Sequence, residues 1–137
     1  MWTSARYAIA VVATVALTRA GVGAQEAGGL MPAGVMTHKV AGKTVLVDGN
    51  KMTLYTYAHD TMPGKSSCNG RCAQNWPPLK AAADAKATGA WTVVPRDDGS
   101  KMWAYKGKPL YTFVRDKAAG DMTGDGAGQG AWKMAVP

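Results

Sequence analysis

Leu54-Tyr55-Thr56-Tyr57-Ala58-His59-Asp60 returns as Leu110-Tyr111-Thr112-Phe113-Val114-Arg115-Asp116, 56 residues later. The offset holds through the loop that follows. Gly64 falls on Gly120, Gly70 on Gly126 and Trp76 on Trp132, a constant register over 23 positions. Self-similarity at a fixed period marks a duplicated supersecondary unit whose copies share one architecture.

Working outward, each copy reads as short strands joined by tight turns. Thr44–Val47 is a strand, Asp48-Gly49-Asn50 a turn and Met52–Tyr57 a second strand, which together predict a hairpin. Downstream, Trp91–Val94 and Lys101–Tyr105 flank the turn Arg96–Gly99, Lys106-Gly107-Lys108 turns again, and Leu110–Val114 and Trp132–Val136 complete the strands. Gly70–Trp76 predicts one helical turn stopped by Pro77-Pro78. Leu79–Ala90, rich in Ala and Lys, is expected to hold a short helix or a linker. The fold expected is mainly β: a small single domain of two tandem hairpin-plus-loop repeats with at most short helices.

The first 24 residues have the grammar of a secretory signal peptide: Arg6, an apolar run from Tyr7 to Leu17, and small residues at Val22-Gly23-Ala24. The run is too short to cross a bilayer, which takes about 20 residues. Cleavage after Ala24 is expected. The remainder then divides into a flexible arm, 25–39, and a domain, 40–137: repeat 1 at about 40–80, a linker at 81–90, and repeat 2 at about 91–137. The mature chain would have 113 residues with 14 basic and 9 acidic side chains, a net charge of +5. The lysines are scattered in sequence, which suits solubility or an anionic envelope partner. Nucleic acid is excluded as a partner by export and by the want of a basic stripe. A periplasmic or secreted monomer with no transmembrane segment, meeting an unknown envelope component, is the expectation.

Cys68 and Cys72 are the two cysteines, and in an oxidising compartment a local disulfide is the default. The alternation of side chains in a strand puts Tyr55 with Tyr57, and Tyr111 with Phe113, on one face. Each pair is expected to pack in the core against Trp76 or Trp132 of its own repeat. Asp60 and Asp116 are each expected to cap their own turn by accepting backbone N–H bonds.

These residues resemble a known pattern. Tyr55, Tyr57 and Asp60, and Tyr111, Phe113 and Asp116, match the Yx(FWY)xxD signature of the bacterial secreted lipoprotein-repeat family. Cys68-x-x-x-Cys72, Trp76-Pro77-Pro78-Leu79 and Gly107-Lys108-Pro109-Leu110-Tyr111 also fit it. The resemblance spans about residues 40–137. It implies export and a repeat, and names no reaction. The chain departs from the lipoprotein label in having no cysteine at the cleavage site.

No catalytic residue is assigned, and a non-enzymatic binding or interaction module is expected. No nucleophile elbow is present, and Cys68 and Cys72 have neither the Cys-x-x-Cys spacing of redox motifs nor that of haem attachment. No cofactor is expected. The alternative is copper, because thioether and imidazole suit Cu(I). Its candidate ligands are Met31, Met36, His38, Met52, His59 and Met62. The acidic loop holding Asp116, Asp121 and Asp125 lacks EF-hand spacing and reads as a solvated loop.

Overall fold

The computed structural model describes residues 31–137; the expected signal peptide, and cleavage after Ala24, lie outside them. The first hairpin is β1 (Met36–Val40) with β2 (Lys43–Val47), paired antiparallel from Met36↔Val47 to Val40↔Lys43. Its two-residue turn, Ala41-Gly42, has both residues at positive φ, 51° and 77°. That geometry matches the right-handed twist of the flanking strands. The arm expected over 25–39 is therefore corrected, because its last four residues belong to β1. The signal was silent in sequence because Met36, Thr37, His38 and Lys39 are all exposed and show no alternation.

The turn predicted at Asp48 forms, with Asp48 Oδ1 accepting from the Asn50 and Met52 amides. The hairpin predicted across it does not extend. After one bridge, Val47↔Thr53, the chain leaves β2. The strand expected over Met52–Tyr57 shortens to β3 (Tyr55–Tyr57). Next come helix α1 (Arg71–Asn75) and β4 (Lys80–Ala81), so Ala81 is strand rather than linker. The second hairpin is β5 (Trp91–Pro95) with β6 (Lys101–Tyr105). A tight turn leads to β7 (Lys108–Pro109), and the strand expected over Leu110–Val114 is reduced to the bridges of Tyr111. A short turn, α2 (Ala127–Gly130), left-handed at Gly128 and Gln129 (φ 63° and 60°), and β8 (Trp132–Met134) end the described chain.

The repeats are tandem in sequence and interlocked in space. Strand β3 of repeat 1 pairs with β8 of repeat 2, and β4 of repeat 1 pairs with β6 of repeat 2. The exchange obeys one pattern on both sides. Leu54 N–H donates to Leu46 O, Ala135 N–H to Leu54 O, and Leu46 N–H to Ala135 O, at 2.8–3.0 Å. In the other half Leu110 donates to Trp103, Leu79 to Leu110, and Trp103 to Leu79, at 2.9–3.1 Å. At the centre Tyr55 and Tyr111 exchange both backbone bonds, 2.7 and 3.0 Å. Each half is thus completed by the tail of the other repeat, about a local two-fold axis between the tyrosines.

The core follows this plan. The central cluster holds Tyr55, Tyr111, Trp76, Trp132, Cys68, Val94, Met102 and Ala104. A second cluster joins Leu46, Leu54 and Ala135 to Trp91, Tyr105 and Leu110, and so also draws on both repeats. Apolar side chains from both copies are removed from water only when the copies come together, and that burial drives the interlock.

Candidate functional site

The repeat signature converges on the axis and crosses it. Tyr55 OH donates to Asp116 Oδ2, and Tyr111 OH to Asp60 Oδ2, both at 2.6 Å. Each carboxylate also fastens its own loop seven residues on. Asp60 Oδ1 accepts from the Ser67 amide and hydroxyl, and Asp116 Oδ1 from the Thr123 amide and hydroxyl. The expectation that each aspartate caps its own turn is right about the donor type and incomplete about the role. Both link a distant point of their own loop to a phenol of the other repeat. Burial, then the bonded carboxylate, pushes both phenols well above the ordinary tyrosine value.

The phenols differ in their other partners. Tyr55 OH accepts from the Gly124 amide at 3.3 Å, whereas Tyr111 OH meets Ser66 Oγ at 2.6 Å. Ser66 Oγ in turn accepts from the Arg96 guanidinium at 3.1 Å, which also donates to the Cys68 carbonyl at 2.8 Å and to Asn69 Oδ1. Arg96 is buried, and its Nε has no partner among the described residues. The result is a buried line from Arg96 through Ser66 and Tyr111 to Asp60. From sequence, Arg96 reads only as a turn residue.

Beside the phenols four rings stack in a row. Tyr57 lies on Trp132 (centroids 4.2 Å apart), Trp132 on Trp76 (3.8 Å, interplanar angle 2°), and Trp76 on Phe113 (4.0 Å). Each tryptophan touches its own repeat's Tyr55 or Tyr111 edge-on, at 5.3 and 5.1 Å. The expectation that each packs on the strand of its own repeat is therefore corrected for the stacked partners: Tyr57 and Phe113 stack on the tryptophan of the other repeat. The Cys68–Cys72 disulfide is formed, with Cys68 fully buried. Position 124, which matches Cys68 at the 56-residue offset, is glycine; a Cβ there would come within 2.5 Å of Trp76 Cη2. The second loop therefore has no room for the cysteine of the first.

The candidate metal ligands are dispersed. Met36 and His38 are exposed on β1, Met31 precedes it, and Met52 follows the Asp48 turn. His59 and Met62 alone of the six line one pocket, of about 150 Å³, together with Asp60 and Lys65. His59 also packs on Tyr57, ring centroids 4.9 Å apart. Among the described residues no group of three or more His, Cys, Asp or Glu is placed to hold a metal ion. In the acidic loop, Asp121 accepts from the Lys117 and Ala118 amides and Asp125 from the Met134 amide. Those amide bonds, that of Ala118 first, hold the Asp121 carboxyl below its usual range.

The outer surface bears a groove that the sequence did not suggest. Its first cavity, about 300 Å³, is lined by Tyr105, Lys106, Lys108, Leu110, Lys133 and the chain from Met134 to Pro137. A second, about 270 Å³, shares Thr56, Lys108 and Lys133 and runs on to Tyr57 and Asp60. Lys106 and Lys108 flank one glycine at the turn into β7, and Lys133 comes from β8. Strand β3 brings them together, because it pairs with β8, setting Thr56 opposite Lys133, and also contacts β7.

A family described as a secreted repeat of unknown function fits residues 36–80 and again 92–136. No curated protein and no solved structure matches. Among the described residues no helix is long and apolar enough to cross a membrane.

Proposed function

The chain belongs to the family of secreted repeats of unknown function, and from that premise we propose that it is an exported, non-enzymatic binding module of the bacterial cell envelope. One observation carries the reading. The aspartates and tyrosines of the repeat signature bond to one another across the local two-fold axis, so the signature holds the two halves together. Interaction with the outside then falls to the surface. In this account the leader 1–24 is removed after Ala24, and the mature monomer acts in the periplasm or beyond.

The test is a thermal-shift screen of the mature chain against envelope components, including anionic lipids and cell-wall polymers, run beside hydrolytic and redox activity assays. A saturable binder without turnover is expected. Turnover that Asp60→Asn or Asp116→Asn abolishes while the variant stays folded would overturn the proposal. Copper keeps one geometric support, the shared pocket of His59 and Met62. A Cu(I) titration in which His59→Ala lowers the stoichiometry of tight binding would move the assignment there.

A further inference from the structure

The lysine groove is unlike the rest of the molecule because the repeat does not generate all of it. The residues 56 positions before Lys106, Lys108 and Lys133 are Asn50, Met52 and Pro77. The related turn, one residue longer because Leu46 corresponds to Trp103, carries Lys51 at positive φ; Lys133 is the groove charge with no counterpart, since Pro77 stands in its place. The groove also carries a local cost. Lys106 has φ +50° in its two-residue turn, a conformation that Asn or Gly adopts more cheaply. Its ammonium lies 5.1 Å from the centre of the Tyr105 ring. Of the described lysines, only Lys101 places its ammonium in a hydrogen bond within the chain. Among the described residues the Lys108 and Lys133 ammoniums make no hydrogen bond, while that of Lys106 faces the Tyr105 ring.

The floor has the opposite character. Met134, Val136 and Pro137 line it with accessible apolar surface, above the buried core residues Leu110, Ala135 and Tyr105. At about 300 Å³ the main cavity reaches the lower end of the range for small-molecule sites. A cationic rim over an apolar floor is complementary to one kind of ligand, an anionic head on an apolar tail. An acidic polymer would leave the floor unused, and a neutral apolar molecule would leave the ammoniums unpaired. A bilayer surface fits less well, because of the exposed large apolar side chains among the described residues (Met31, Met36, Met62, Val114, Met122 and Val136) Val136 alone lines the groove.

Deepening the binding-module reading, on which it rests, we infer that the groove binds a free single-chain lipid anion. Its carboxylate or phosphate lies between Lys108 and Lys133, and its alkyl chain lies over Met134, Val136 and Pro137. Asp60, at the far end of the second cavity, already has both carboxylate oxygens engaged, by Tyr111 and Ser67. The anionic head therefore belongs at the lysine end.

The experiment is calorimetric titration of the mature chain with decanoate below its micellar concentration. Decyl maltoside, inorganic phosphate and vesicles of anionic phospholipid serve as comparison probes. The variant is Lys108→Glu/Lys133→Glu, both exposed positions, with Lys43→Glu/Lys86→Glu as the control for net charge. The expected result is one decanoate per chain, weakened about tenfold or more by the groove variant and little by the control. Decyl maltoside and phosphate should bind far more weakly. Equal binding by the groove variant, equal binding of decyl maltoside, binding to vesicles without binding of free decanoate, or no binding of decanoate would each overturn the inference. If a different envelope component binds the groove variant as well as the unaltered chain, the binding module stands and the groove assignment falls.

Discussion

Gly124→Ala is the sharpest test of the packing at the axis. The added Cβ would lie 2.5 Å from Trp76 Cη2, 2.9 Å from Trp76 Cζ3 and 3.1 Å from Phe113 Cδ1. Carbon atoms ordinarily meet at about 3.5–4.0 Å, so the overlap with Trp76 is about 1 Å. The indole cannot step aside, since Phe113 stacks on one face and Trp132 on the other. Overpacking of this kind costs about 1–3 kcal/mol, and a blocked ring belongs at the upper end. Gly124 has no positive φ, so alanine recovers about 0.4–1 kcal/mol by restricting the unfolded chain. The net expectation is a loss of about 2 kcal/mol, which for a domain of this size lowers Tm by roughly 10–15 °C. Urea denaturation with an unchanged m-value would measure it. Adding Trp76→Leu should relieve the clash, giving a coupling of about 1.5 kcal/mol in a double-mutant cycle. If Gly124→Ala is as stable as the unaltered chain, or its cost is additive with Trp76→Leu, the reasoning fails.

Four further outcomes are expected. The folded state holds the phenolic protons of Tyr55 and Tyr111 at a pH where the unfolded chain, with values near 10, gives them up. Stability should therefore be intact below about pH 10 and fall as pH rises above it, and Tyr55→Phe/Tyr111→Phe should flatten that decline in alkaline melts. The same double variant should cost about 1.5–3 kcal/mol per lost phenol–carboxylate bond at neutral pH, read from urea midpoints. Reducing Cys68–Cys72 opens a five-residue ring and should cost about 2 kcal/mol, seen as a lower urea midpoint with reductant. Phe113→Ala removes a half-buried ring from the end of the stack and should cost about 3 kcal/mol, the lower end for phenylalanine truncation.

The period, the β class, the disulfide and the signature residues were legible because each leaves a local mark: an offset, a turn dipeptide, a cysteine pair. The exchange between repeats was not. Nothing in Leu79 or Ala135 says which copy it pairs with, and the same backbone bonds could close within one repeat or between two. Only burial across the joint distinguishes them. Strand β1 was missed because its exposed residues leave no alternation to read. The crossed bonds were half legible. Asp60 and Asp116 stand just after their strands at the common offset, which pointed to a cap on each following turn, while the tyrosine of the other repeat is a contact only the fold supplies. The groove was hidden for the same reason. Lys106, Lys108 and Lys133 look like part of a scattered positive surface until β3, in contact with both β7 and β8, gathers them.

The crossed arrangement also explains how a duplicated chain can work with unequal halves. The tyrosine–aspartate bonds and the ring stack are shared by both copies, so the frame survives differences elsewhere. The disulfide, and the bonds that Arg96 makes to it from the other repeat, can then serve one loop, and the lysine groove one face. What the repeats hold in common is architecture, and what distinguishes them is where interaction specific to this chain is to be sought.

The central claim, that the two repeats interlock through their signature tyrosines, is tested most directly by scalar couplings across hydrogen bonds in the nuclear magnetic resonance spectrum of the isotope-labelled mature chain. The account predicts couplings from the Tyr55 amide nitrogen to the Tyr111 carbonyl carbon and from Tyr111 back to Tyr55, together with proton contacts between the rings of Trp76 and Trp132. Couplings and contacts confined within each repeat would contradict it.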